Sequence, residues 1–193
     1  VVGLAPRVEA GGRGPRPGTA TSSSKRPKGK YRYLGNPKAK VVIEVFGDFQ
    51  CPYTRRLAPR LPQIAKAYPK KVKIIWRDFP LRFHRRAMPA AMVGREVFRQ
   101  RGTQAFLIYG RLVFTNARKL TDADLVRYAV KAGANRAQVQ SVLRTGKHKS
   151  AIYNEMKKAK SRRVRGTPTI LINGTPHKGS RSLARFRTVI NAL

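Results

Sequence analysis

The chain has 193 residues, 41% of them hydrophobic, enough for one buried core and short for two full domains. Lysine and arginine number 43 against 8 acidic residues, a net charge of +35, which excludes the ordinary surface of mixed sign. No apolar run approaches the roughly 18 residues of a membrane span, and a single cysteine excludes an internal disulfide.

Residues 1–30 contain Gly11-Gly12-Arg13-Gly14-Pro15-Arg16-Pro17-Gly18 and then Ser22-Ser23-Ser24-Lys25-Arg26-Pro27, with almost nothing to bury. They read as a basic extended tail whose acid-poor, Arg- and Ser-containing composition has organellar transit character. The tail holds seven cations and one acid, so +29 remains on the rest of the chain. Acid depletion is therefore a property of the whole domain expected over residues 31–193.

Within that domain, Val41–Gly47 reads as a buried strand. After Pro52 a helix is expected with Leu57, Leu61, Ile64, Ala65 and Tyr68 on one face, kinked or loosened by Pro59 and Pro62. Val72–Trp76 reads as a second core strand, completing a strand–helix–strand unit. A helical region follows from about His84 to Arg163, with Thr121-Asp122-Ala123-Asp124 as a capping-box start and Asn135 as a further cap. Thr169–Ile172, the Asn173-Gly174 turn and Pro176–Lys178 form a hairpin, and Leu183, Phe186, Ile190 and Leu193 line a closing helix. This order is that of an α/β thioredoxin-like fold split by an α-helical insertion.

Three blocks then carry a family resemblance: Asp48-Phe49-Gln50-Cys51-Pro52-Tyr53; Arg77-Asp78-Phe79-Pro80-Leu81-Arg82-Phe83-His84-Arg85-Arg86-Ala87; and Gly166-Thr167-Pro168-Thr169 with Ile172-Asn173-Gly174. In order and spacing they resemble the DsbA-like thiol-disulfide oxidoreductases over roughly residues 31–193. The resemblance implies a Cys-x-x-Cys site at the first turn of a helix, in which the first cysteine attacks and the second resolves the mixed disulfide. Here the motif is Cys51-Pro52-Tyr53-Thr54, and Thr54 cannot become a disulfide partner. The resemblance also implies a buried acid six residues before the nucleophile; Val45 stands there, with Glu44 next to it and hence on the other face of the strand. Pro168 matches the cis-proline of the family, and His84 is assigned local hydrogen bonding. His148 and His177 look isolated, and neither a metal nor a cofactor is expected.

Cys51 has two readings: a one-cysteine exchange nucleophile served by glutathione or substrate thiols, or a vestigial residue packed under its helix. The two departures from the motif favour the second. With the catalytic role discounted, the charge points to a polyanion. The expected phosphate contacts are Arg7, Arg13, Arg16, Lys25, Arg26, Lys28 and Lys30 of the tail, Arg32 beside the stacking candidates Tyr31 and Tyr33, and the run Lys157, Lys158, Lys160, Arg162, Arg163 and Arg165. No base-reading motif is present, so RNA of fixed shape is expected rather than a DNA sequence. The resulting expectation is a structural, redox-inactive RNA-binding component of a mitochondrial or other organellar ribosome, in contact with rRNA and neighbouring ribosomal proteins. The alternative is a one-cysteine thiol-disulfide oxidoreductase in the bacterial periplasm or another oxidising compartment.

Overall fold

The computed structural model describes residues 32–179 and 181–193. The basic tail, with Arg7, Arg13, Arg16, Lys25, Arg26, Lys28 and Lys30, and the stacking candidate Tyr31 lie outside the described residues.

The β-branched run Val41–Gly47 forms β2, buried along nearly its whole length. A strand buried on both faces belongs in the middle of a sheet covered on both sides. β2 pairs in parallel with β3 (Val72–Asp78) and antiparallel with β4 (Thr169–Ile172). The edge strand β1 (Arg32–Gly35) runs antiparallel to β3, and β5 (Thr175–Pro176) closes the other side, giving the order β1-β3-β2-β4-β5. The hairpin between β4 and β5 turns at Asn173 and Gly174, both at positive φ (48° and 84°), the conformation that an Asn-Gly turn requires.

Between β2 and β3 the chain forms α1 (Pro52–Leu57) and α2 (Arg60–Ala67), separated at Ala58-Pro59. A proline has no N–H to continue a ladder, but it begins a new helix well, and Pro59 stands as the N-cap of α2. The helical layer comprises α3 (Ala87–Thr115), bent where Gly102 adopts φ 78°, then α4 (Asp122–Lys131), α5 (Arg136–Thr145) and α6 (Lys149–Ser161). Thr121 and Asp124 form the reciprocal capping box of α4, and the Asn135 side chain caps α5. The chain closes with α7 (Leu183–Asn191), whose buried Phe186 stacks under His177 at 4.9 Å.

The core is continuous from the sheet into the helical layer. Phe49 and Trp76 pack 5.2 Å apart at the end of β2, with Phe106, Tyr109 and Phe114 of α3 closing round Phe49. The phenol of Tyr109 is fully buried and donates to Ala90 O at 2.9 Å. Burial, reinforced by the charge of Asp78, pushes its pKa well above the usual phenol value. Among the described residues no helix is long and apolar enough to cross a membrane.

Candidate active site

Cys51 is the N-cap of α1, in extended conformation (φ −70°, ψ 121°), with Pro52 at the first helical position. Its N–H donates to Asp48 O at 3.1 Å, which folds Asp48-Phe49-Gln50 into a tight turn at the end of β2. The buried Asp48 carboxylate holds that turn against the following loop. It accepts from Gln50 N at 2.7 Å and Leu81 N at 2.8 Å, and pairs with His84 Nδ1 at 2.8 Å. His84 thus takes the local hydrogen-bonding role assigned to it, and Gln50 reaches the same loop by accepting from Arg86 N. The thiol sits on a scaffold fixed from two sides.

Opposite Cys51 lies the loop that enters β4. The Thr167–Pro168 peptide is cis, and Cys51 Sγ donates to Thr167 O at 3.2 Å. The structure therefore brings together Cys51 and the 167–168 loop across more than one hundred residues of chain. Cys51 itself is 3% exposed, beneath this contact. Thr54 points inward on the same first turn, fully buried, and its hydroxyl has no hydrogen-bond partner among the described residues; the same is true of Thr167 Oγ1.

The rim is cationic and aromatic. Tyr53 is 60% exposed with the Arg56 guanidinium 5.8 Å from its ring centre. Beside it, a hollow of about 360 Å³ is lined by Tyr53, Arg56, Arg60 and Arg181, and Arg181 also donates to Pro168 O at 3.2 Å. Arg181 was not singled out by sequence, because nothing in its neighbourhood shows that α7 begins next to the 168 loop.

Val45, at the position where the resemblance implies an acid, is fully buried against Trp76 and Ile170 in the sheet register. Its neighbour Glu44 faces the other side, where it accepts from Arg77 at 2.8 Å and Arg162 at 2.5 Å. Burial opposes its ionisation, but the bonds from Arg162 and Arg77 hold the carboxyl below the ordinary value. His148 is not isolated: its Nε2 pairs with Glu96 Oε2 at 2.8 Å.

The expected phosphate contacts divide. Arg32 is buried in ion pairs with Asp78 at 2.8 Å and Glu155 at 3.3 Å, and Arg162 is paired with Glu44. An arginine enclosed by carboxylates has no face to offer a polyanion, and Arg32 is withdrawn as a contact. Lys157, Lys158, Lys160, Arg163 and Arg165 are exposed at the end of α6 and the loop beyond it. Tyr33 lies in the edge strand β1, its ring 5.2 Å from Lys73 Nζ.

Comparison with known proteins supports the fold and overturns the ribosomal expectation. A thioredoxin family model matches residues 28–192. BdbD from Bacillus subtilis, in its oxidised form, superposes with a TM-score of 0.75 at 20% identity, covering 84% of this chain and 91% of that one. The thiol-disulfide exchange protein alpha-DsbA2 from Wolbachia pipientis gives 0.73 at 19% identity, covering 84% and 86%. DsbA from Chlamydia trachomatis gives 0.73 at 16% identity, covering 88% and 92%. In sequence, the Na(+)/H(+) antiporter NhaA 1 of Mycolicibacterium gilvum is 29% identical over 154 residues, 75% of this chain and 24% of the antiporter. NhaA 3 of Salinispora tropica is 30% identical over 146 residues, 75% and 22%. The chain thus spans about a quarter of the length of the curated relatives it matches. All of these are bacterial proteins, and the named structures include a thiol-disulfide exchange protein. Structural RNA binding, rRNA and ribosomal neighbours as partners, and an organellar ribosome as home are accordingly corrected: basic composition reports the sign of the surface, not the identity of what it meets.

Proposed function

Because the chain belongs to the thioredoxin family over residues 28–192, we propose that it is a one-cysteine thiol-disulfide exchange protein with Cys51 as nucleophile. The observation that carries this reading is the contact of Cys51 Sγ with Thr167 O, 3.2 Å, at the meeting of the α1 N-terminus with the loop at Pro168. That contact sets the sulfur of Cys51 against the loop at Pro168.

Cys51 Sγ lies 3.2 Å from Thr167 O. Exchange begins with loss of the thiol proton to solvent. The Cys51 thiolate attacks one sulfur of a partner disulfide, forming a Cys51–S–S–R bond and expelling the other sulfur as a thiolate. With Thr54 in place of a second cysteine, the mixed disulfide persists until an external thiolate attacks it, regenerates Cys51 and leaves as the disulfide of R. Glutathione or a substrate thiol fills that external role. The hollow lined by Arg56, Arg60 and Arg181 suits the carboxylates of such a molecule. This exchange belongs in an oxidising compartment, such as the bacterial periplasm, where disulfides persist.

The test is to incubate the reduced, folded chain with oxidised glutathione and map adducts by mass spectrometry. A single adduct on Cys51, released by excess reduced thiol and absent from Cys51→Ser, is the expected result. An adduct that forms in urea but never in the folded chain would reduce Cys51 to a packing residue.

A further inference from the structure

A second cavity, of about 530 Å³, lies between α6, α3 and the sheet, and its walls carry Arg32, Arg77, Arg95, Arg99, Lys158 and Arg162. One carboxylate, Glu155, shares the lining. It accepts from Arg32 at 3.3 Å, Arg77 at 3.3 Å, Arg95 at 2.5 Å and the Asp78 N–H at 2.9 Å. Three more carboxylates hold the guanidinium groups in place. Asp78 takes Arg32 and Arg95, Glu44 takes Arg77 and Arg162, and Glu96 takes Arg99 at 2.5 Å.

The charges do not cancel. The six lining cations, with Lys147 also on Glu96, face four carboxylates, so three positive charges lack a counter-charge within the cluster. Lys158 has no carboxylate partner among the described residues. Four of the chain's 8 acidic residues are gathered here to orient arginines, in a protein that has almost none to spare. Arg32, Arg77 and Arg95 spend their N–H groups on Asp78, Glu44 and Glu155, whereas Arg99 and Arg162, 40% and 38% exposed and each facing one carboxylate, stand beside Lys158 with N–H groups left to pair with phosphate. The volume falls in the range of about 300–1,000 Å³ usual for small-molecule sites. Phe46 and Phe98 add apolar wall for an organic portion.

We infer that this cavity is a binding site for a small doubly charged phosphate ligand, a phosphate monoester in preference to free phosphate. The inference is independent of exchange at Cys51. Its test is calorimetric titration of the full chain with inorganic phosphate and with glucose 6-phosphate, each against sodium chloride at matched ionic strength. Saturable binding of the dianions is expected, weakened about tenfold or more by Lys158→Ala, the scale of one charge-assisted hydrogen bond. Lys157→Ala removes an equal charge one residue away, outside the lining, and leaves binding unchanged. Tighter binding of the sugar phosphate identifies an ester as the occupant and equal binding identifies free phosphate; either supports the site. Heats indistinguishable from those of chloride, or equal losses in the two lysine variants, would overturn it by showing only diffuse attraction to a basic surface.

Discussion

At the residue scale the decisive position is Thr54, three residues after Cys51 on the first turn of α1. Its hydroxyl is buried and has no partner among the described residues, and such a group carries a desolvation cost that an apolar isostere avoids. Thr54→Val should therefore leave stability unchanged or raise it by about 1 kcal/mol, read from the urea midpoint. A loss of more than that would reveal a hydrogen bond to this hydroxyl. The same geometry predicts a gain of chemistry from Thr54→Cys. Residues three apart at a helix start place their Cα atoms roughly 5–6 Å from each other, the separation a disulfide spans. The variant should close an internal disulfide under mild oxidation and release trapped glutathione without an added thiol. Two thiols that both stay titratable after oxidation would contradict this.

At the element scale, the end of β2 sets the site through one small residue. A Cβ on Gly47 would fall 2.3 Å from the Trp76 ring, which itself packs on Phe49 two residues further along. Gly47→Ala should cost about 1–3 kcal/mol in thermal or urea unfolding, the usual penalty for overpacking, and should slow adduct formation at Cys51 by shifting the turn that carries it. Unchanged stability would mean that Trp76 moves aside freely. The strand itself was legible from its sequence, since the Val41–Gly47 run, the Asn-Gly turn, the Thr121 capping box and the Asn135 cap are local signals with local causes. β1 was less so: four residues containing a buried arginine read as a basic junction until Asp78 and Glu155, 46 and 123 residues away, neutralise it. The cis-proline at Pro168 was carried by motif resemblance alone, whereas the Cys51–Thr167 contact, the Glu96–His148 pair and the arginine cavity had no signal in one dimension. Isolated ions in a sequence carry no label for the partner that folding brings to them.

At the scale of the whole molecule the problem is how a body so short of acids stays folded, and the acids it has are placed to answer that. Glu44, Asp78 and Glu96 are each buried, which by itself would raise their pKa values, yet the arginines that face Glu44 and Asp78, and His148 with Arg99 and Gln100 at Glu96, outweigh burial and all three are lowered. The charged groups around them come from several elements. Arg77 of β3 and Arg162 beyond α6 face Glu44. Arg32 of β1 and Arg95 of α3 face Asp78. Arg99 of α3, with Lys147 and His148 before α6, faces Glu96. A carboxyl whose folded pKa is depressed lends stability that is complete above its unfolded value, near 4.5 for glutamate and 3.8 for aspartate, and that disappears as pH falls towards the folded value. Stability measured by urea at constant ionic strength should accordingly be flat from neutrality to about pH 5 and fall steeply below about pH 4. Falling pH also adds net positive charge to a chain that already repels itself, so the two effects act in the same direction. Glu96→Gln separates them. It preserves shape while removing one proton from those taken up on acid unfolding, so the variant should be less stable at pH 7 and show a shallower acid slope. A slope identical to that of the unsubstituted chain would assign Glu96 to packing, and would leave the arginine-facing carboxylates without their part in holding this cationic fold together.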